Sequence, residues 1–463
     1  MSYLSILLAF LLGFSFLRFV AGRFSFIEIL GLSFPVGIGV VTFVMFLLNI
    51  LGITLSRTNL ITAIVLITVA FYYKLIMKPK LIVEGYNTIS KKTFWQVGRF
   101  NLIWFVFVLA VVGVLFFVTK KSLYTPTFST DSVSSFDLYA KAIAHEGTLL
   151  NSLIYDKAVG FGAAYPPLTA FSLSYVYIFG FQSSKIIPAL LFISFIVSFY
   201  SLILKNISST PAIIATFGLV VAPELLAQSA LNTTSVPNAM YASLGLMALF
   251  TWYKRNEMKY FYLSIILLSF NGWIRSEGIV YILTGLLFVF YVQLPKRQFK
   301  KMYLYILCLV PFVAWQLFLK MNAALMEPFV QVNISLVPHL DPEYFSKIIR
   351  GALKNFFHPS YYGITFYTLI VVGIVNIYGV IKKKESFLLL ALVVLPIVAY
   401  LILLNQLHLK ADSIEAIMSA SAKRFFFGTV AMIWFYVFQI YPFNKVFNGL
   451  ETFLSVPVKS KGD

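Results

Sequence analysis

NGWIRSEG, residues 271–278, separates two apolar stretches, YFYLSIILLSF at 260–270 and IVYILTGLLFVFYVQL at 279–294. Both stretches are continuous and lack the apolar–polar alternation of a barrel strand, so they read as two helices of a hairpin. Lys259 and Lys296 bracket the pair, with 36 residues between them. That allows about 27 Å of helix for each arm at 1.5 Å per residue, against a hydrocarbon core of about 30 Å. The tip is therefore expected to sit recessed. A charge near hydrocarbon costs about 2.5–3.5 kcal/mol or more, so Arg275 and Glu277 are tolerated only if paired or facing a polar cavity. An Arg–Glu pair that merely locks the hairpin and a functional site are both open at this point.

Outward from the hairpin the same pattern repeats. Fourteen apolar stretches occur, at about 3–20, 26–50, 59–77, 100–118, 164–181, 186–204, 211–229, 238–253, 260–274, 277–294, 302–320, 364–381, 387–405 and 424–441. The chain of 463 residues is 60% hydrophobic and 11% charged. A soluble domain would carry about 25% charge, so these features specify an all-α, polytopic helical membrane protein. The net charge of +19 is spread between apolar stretches and not gathered in one block, which argues against a nucleic-acid-binding face. Basic clusters mark the cytoplasmic side: Lys78, Lys80, Lys91, Lys92 and Arg99; Lys254, Arg255 and Lys259; Lys296, Arg297, Lys300 and Lys301; Lys382, Lys383 and Lys384; Lys459 and Lys461. Alternation then requires an odd number of crossings from the four stretches in 164–253. The expectation is about 13 transmembrane helices plus one re-entrant or interfacial segment. The candidates for that segment are 164–181, which carries Pro166-Pro167, and 211–229, interrupted at Pro223-Glu224. The first charge is Arg18, so no basic region precedes the first apolar stretch and a cleaved signal peptide is not expected. Cys308, the single cysteine, cannot form an intrachain disulfide.

This topology places 119–163, 321–363 and 406–423 outside, together with the hairpin tip. Ten of the 17 carboxylates fall there, a bias that orientation rules leave unexplained because acidic residues contribute little to topology. The segment TDSVSSFDLYAKAIAHEG (130–147) reads as an interfacial helix with Phe136, Tyr139, Ala140 and Ile143 on one face. Asp131 at its start is either a helix N-cap or a site carboxylate. YPPL at 165–168 reads as a helix start at Pro167. DPEYFSKIIRGALKNFF (341–357) sets Phe345, Ile349, Leu353 and Phe356 on one helical face and Lys347, Arg350 and Lys354 on another, a basic stripe suited to lipid phosphate. SASAKRFFF (419–427) puts Lys423 and Arg424 where the last helix enters from outside, snorkelling or binding an anion. The four histidines show no paired metal spacing, which argues against a His/Cys zinc site. Phosphate-cradling Gly-Lys-Ser/Thr loops, GxGxxG turns and GxSxG elbows do not occur, so ATP-driven transport, nicotinamide chemistry and serine hydrolysis are not first choices.

In chain order, Asp131 followed by FDLYAKAIAHEG, then YPPL (165–168), then Arg275, Glu277 and Gly278, then Pro311 and Trp315, then Arg424, resembles the membrane-embedded GT-C glycosyltransferases. The similarity is to the polyprenyl-phosphate-sugar-dependent members related to protein mannosyltransferases and aminoarabinose transferases, and it covers about 120–430. It implies a GT-C-like core at 78–430, with 1–77 as an N-terminal three-helix extension and 431–463 as the end of the last helix and a cytoplasmic tail. It also implies a multi-pass protein of the plasma (inner) membrane whose active site faces the extracytoplasmic side and which acts in cell-envelope glycan biosynthesis.

The partners it implies are a polyprenyl-phosphate-linked sugar donor, membrane lipid and a glycan, lipid or protein acceptor, with no nucleic acid. Asp131 is then the general base, its pKa raised by a partly dehydrated cleft. Arg275 and Arg424 hold the donor phosphate, with Lys423 and Lys347 further out. Glu277, Asp137, Tyr139 and Tyr165 bind or orient substrate. Relatives often carry an acidic residue before the Pro that opens a helix after the second outer loop, where it helps bind a divalent metal. Here NTTSVPNA (232–239) has Ser235 at that point. A Mg or Mn ion would therefore need Asp137, Asp156 or Glu224 as a replacement ligand. A polysaccharide polymerase or ligase is the alternative enzyme. A secondary transporter or lipid flippase is the alternative outside catalysis, drawing on the helix-interrupting prolines 188, 223, 237, 311 and 396.

Overall fold

The computed structural model describes residues 2–22, 24–76, 102–158, 161–326, 332–334, 341–382, 387–409, 417–418 and 422–441, with positions 443, 445, 446 and 449. The basic cluster at 78–99, Lys383 and Lys384, the carboxylates Glu327, Asp412 and Glu415, and the tail lysines 459 and 461 lie outside the described residues. Each of the fourteen apolar stretches forms a helix. Seven are long and apolar enough to cross a membrane: Ser2–Val20, Phe26–Ile50, Leu102–Tyr124, Ile186–Ile203, Ser276–Gln293, Phe299–Met321 and Leu388–Gln406. Shorter apolar helices occupy Leu168–Ile178, Ser209–Val220, Thr365–Ile381 and Phe427–Val437. The protein is a helical bundle with the character of a multi-pass membrane protein. Its one described β-pairing is a three-residue antiparallel ladder, Val332–Ile334 against Leu407–Leu409.

Helices apolar on every face belong in the middle of such a bundle, and two of them are there. Phe427–Val437 is buried along its whole length, and Ser235–Arg255 along nearly all of it. Phe26–Ile50 joins them in the core, with Tyr241 donating its hydroxyl hydrogen to the Pro35 carbonyl at 2.6 Å. It packs against the first helix in backbone contact: a Cβ on Gly37 would stand 1.7 Å from the Ala9 carbonyl oxygen, and one on Gly13 1.9 Å from that of Ser33. Only glycine permits that approach. Leu102–Tyr124 lies at the periphery with Phe105, Leu109, Phe116 and Phe117 facing outward.

Polar contacts separate the two ends of the bundle. At one end the buried Glu28 carboxylate accepts from the Ser25 backbone N–H at 2.6 Å and Tyr260 Oη at 2.8 Å, and pairs with Lys205 Nζ at 3.1 Å. Phe26–Ile50 runs from there to the other end, where Asn49 donates to Thr148 Oγ1 at 3.1 Å and Leu55 N–H to the Gly147 carbonyl at 2.8 Å. Both termini of Leu168–Ile178 sit at that second end. Leu168 N–H donates to the Trp273 carbonyl at 3.2 Å, and the Ile178 carbonyl accepts from Arg57 Nη2 at 3.3 Å. Of the two segments weighed for not traversing the bundle, 164–181 is thus the one that begins and ends on the same side. Ser209–Val220, by contrast, starts near Lys205 and leads to Glu224, which pairs with Lys423 at the second end.

Most of the prolines offered as helix breaks begin helices instead. Pro188 and Pro237 lie in the first turns of Ile186–Ile203 and Ser235–Arg255, and Pro223 at the first position of Pro223–Gln228, where a missing N–H costs no helical hydrogen bond. Pro311 falls inside the span Phe299–Met321, just after the tighter turn Leu307–Leu309, and Pro396 interrupts the interior of Leu388–Gln406.

Candidate functional site

Four segments distant in sequence converge at the second end. The first is the turn that opens at Asp131. Its backbone is already helical, with φ −56° and ψ −37°, so its side chain makes no N-cap hydrogen bond. Instead its Oδ2 accepts from Arg424 Nη1. The two side chains are 22% and 24% exposed, so the pair reaches solvent. A π-helical turn, Ser132–Asp137, follows directly and leads into Leu138–Glu146. Such widened turns recur at functional sites because the extra residue re-aims side chains. The face expected from the sequence is the buried one: Phe136, Tyr139, Ala140 and Ile143.

The second segment is the hairpin tip. Arg275 forms two near-parallel bonds to Glu277, Nη2–Oε1 at 2.9 Å and Nε–Oε2 at 3.3 Å. The guanidinium is 4% exposed and the carboxylate 23%. Gly278 closes the turn against the Asn271 carbonyl, only 2.5 Å from where a Cβ would stand. Burial disfavours the Arg275 charge, but Glu277 outweighs it and the guanidinium is held above its ordinary pKa.

Tyr165, from the third segment, ties the two pairs together. Its ring lies 5.6 Å from the Arg275 guanidinium carbon. Burial raises its phenol, and the charges that act on it are Arg275, Glu277, Arg424 and Asp131. Trp315 Nε1 donates to the Ala164 carbonyl at 3.2 Å and Leu168 N–H to that of Trp273, so this segment is fastened at both sides of the tyrosine. Thr42 Oγ1 and Phe46 contact Trp273 in turn, which connects the first helices to the site.

The fourth segment, 423–425, is clamped by three tyrosines. Tyr362 donates to the Lys423 carbonyl at 2.6 Å, Tyr281 to the Phe425 carbonyl at 2.9 Å, and the Tyr400 ring stacks on Phe425 at 3.7 Å. Lys423 pairs with Glu224 at 3.0 Å and lies 4.7 Å over the Tyr361 ring. Arg424 is thereby held between fixed neighbours, and its buried Nε has no partner among the described residues. The tyrosines were not singled out in the sequence. The available signal was that a buried Tyr hydroxyl inside an apolar stretch must find an acceptor.

The remaining sequence candidates lie apart from this cluster. Asp137 is buried and satisfied: Oδ1 accepts from Ser184 at 2.6 Å, Tyr177 at 2.7 Å and Asn232 at 3.1 Å, while Oδ2 pairs with Lys141 at 3.0 Å. Tyr139 donates to the Leu149 carbonyl at 2.9 Å. Lys347 projects from Pro342–Phe356 and pairs with Glu343 at 2.7 Å on an exposed face. That helix packs through Ile348, Ala352, Asn355 and Phe356, leaving Ile349 and Leu353 outward; the apolar face drawn from the sequence is therefore split, because two apolar stripes are present and only one meets the bundle.

Each site carboxylate is engaged by an arginine or lysine, and among the described residues no three His, Cys, Asp or Glu side chains gather. The described residues of this cluster therefore do not fit a divalent ion. As arranged, the centre is electrically balanced: two guanidinium groups face two carboxylates, with Lys423 and Glu224 beside them. An anion can enter by exchanging with a carboxylate. No family model, no curated protein and no solved structure matches this chain.

Proposed function

We propose that this chain is a membrane glycosyltransferase that moves a sugar from a polyprenyl-phosphate donor to an acceptor hydroxyl at the outer face of the membrane. The observation that carries this reading is the meeting of Asp131, Arg424, Arg275 and Glu277 around Tyr165, at one end of the bundle and partly open to solvent. The donor phosphate takes Arg424 from Asp131, forming charge-assisted bonds to the guanidinium. The displaced carboxylate is then free to act as base. It removes the acceptor proton as the acceptor oxygen attacks the anomeric carbon, and the bond from that carbon to the phosphate oxygen breaks with its electron pair on phosphate. A single displacement of this kind inverts the sugar. Arg275 and Arg424 offset the charge that builds on the leaving phosphate.

In this reading thirteen helices cross, in a GT-C-like arrangement, and 164–181 is the segment that does not. The Asp131 end faces away from the cytoplasm and the Lys254–Lys259 and Lys296–Lys301 clusters face it. The test is transfer by purified protein, wild type and Asp131→Asn, across a panel of radiolabelled polyprenyl-phosphate sugars and membrane acceptors. Wild type transferring at least one sugar, with the variant reduced by two orders of magnitude or more, supports the reading. No transfer across the panel, or a variant at full rate, ends it.

A further inference from the structure

One apolar cavity is remote from that cluster. It is a groove of about 770 Å³ between Ile279–Gln293 and Leu388–Gln406, with Leu287, Tyr291, Phe387, Ala391 and Leu395 among its walls and Lys296 at one end. Tyr291 and Phe387 meet edge-on at 6.2 Å across it, and Phe288 packs on Tyr253 at 5.7 Å behind. The volume is that of a small-molecule site, and the walls are almost wholly apolar. Leu287, Tyr291 and Phe387 are about half exposed, so the groove opens sideways, toward where lipid would lie.

Its two ends differ. Glu277 opens one of the flanking helices at the Asp131 end, and Gln293 lies about 24 Å further along at 1.5 Å per residue. Lys296 follows there, with Arg297, Lys300 and Lys301 close behind in sequence. Among the described residues Lys296 pairs with no carboxylate. A lipid whose phosphate sat at Arg275 and Arg424 would have its headgroup at the wrong end for this lysine. One whose phosphate sat at Lys296 would lay its chains directly along the groove.

We propose that this groove is a binding site for an anionic phospholipid, its phosphate on Lys296 and its acyl chains between the two helices. The site is independent of the transferase reading. A convex lipid-facing helix holds lipids only in passing; here aromatic walls on both sides and a cation at one end give a place for one molecule.

The test uses the full chain purified in mild detergent, incubated with phosphatidylglycerol or phosphatidylcholine, and examined by native mass spectrometry for lipid retained per chain. Wild type is expected to retain one phosphatidylglycerol at least tenfold more strongly than phosphatidylcholine. Lys296→Glu should abolish that preference. Ala391→Trp, which fills the groove, should lower retention of both lipids, with Leu287→Trp as the second variant should the first fail to give monodisperse protein. Equal retention of the two headgroups, undiminished binding in both groove-filling variants, or stronger retention of undecaprenyl phosphate than of phosphatidylglycerol at the same groove would overturn the proposal.

Discussion

Glu277→Gln isolates the cost of a buried guanidinium without its anion. Arg275 is almost wholly enclosed, so it cannot be rehydrated once Glu277 is neutral. Breaking a buried pair from one side costs about 3–5 kcal/mol. Glu277 is partly exposed and a glutamine oxygen still accepts from Nη2, which places this change near the lower end, about 3 kcal/mol. The double variant Arg275→Met/Glu277→Leu removes both charges and keeps volume, so it should return to within about 1 kcal/mol of wild type, roughly 2 kcal/mol more stable than Glu277→Gln. Unfolding in mixed micelles with increasing SDS, followed by tryptophan fluorescence, reads this directly, since Trp273 stands two residues from Arg275. A loss below about 1 kcal/mol for Glu277→Gln, or a double variant no more stable than Glu277→Gln, would show that the guanidinium is not dependent on its partner. The same double variant separates a lock from a site. Restored stability with transfer still absent identifies a site; recovery of both would leave the pair only a structural role.

Asp131→Asn keeps shape but leaves Arg424 without its anion, so polyprenyl phosphate should bind about fivefold tighter, equivalent to ~1 kcal/mol for a partly exposed pair, while transfer falls about 10²–10⁴-fold; binding by native mass spectrometry and rate by radiolabel check both. Tyr281→Phe removes the donor to the Phe425 carbonyl and should cost about 1–3 kcal/mol in the same SDS titration, because that buried oxygen is left unsatisfied. Asp137 raises the pKa of Lys141, a pair whose stability is present below the ordinary lysine value of about 10.4 and is lost as pH rises through the elevated folded value. Thermal stability of wild type should therefore fall at high alkaline pH, and Asp137→Asn should flatten that limb while lowering stability at neutral pH. Single cysteines placed at 165 and 181 in a Cys308→Ala background should react with an impermeant maleimide from the same side of the membrane, and labelling from opposite sides would make 164–181 a crossing.

The fold class was legible because a continuous apolar run of about twenty residues has few physical solutions, and every such run became a helix. The hairpin pair was legible for a similar reason: two opposite charges two residues apart, at a recessed tip, have each other as nearest partner. Asp131 was different. Its local sequence satisfies an N-cap as well as a site, and the arginine it pairs with in place of a cap is 293 residues away. Asp137 shows the same limit, since Ser184, Tyr177 and Asn232, which engage one of its oxygens, lie 47, 40 and 95 residues away. The tyrosine clamp could not be found from the sequence, because its members come from three separate helical segments and each looks like ordinary core.

Helix length explains why the charges collect where they do. Leu168–Ile178, Ser209–Val220 and Phe427–Val437 are 11, 12 and 11 residues long, about 16–18 Å each at 1.5 Å per residue. Each alone is shorter than about 30 Å of hydrocarbon, so a span built on one is completed by the turns and short helices that flank it, and polar side chains can sit there. The N-terminus of Leu168–Ile178, the segment beyond Ser209–Val220 and the N-terminus of Phe427–Val437 all lie at the Asp131 end, where Tyr165, Glu224 and Arg424 are their neighbours. Asp131 and Arg424 are partly exposed there, while Phe427–Val437 is buried along its whole length. The charges stay in place at that end because each carboxylate is neutralised by its own cation, Asp131 by Arg424, Glu277 by Arg275 and Glu224 by Lys423.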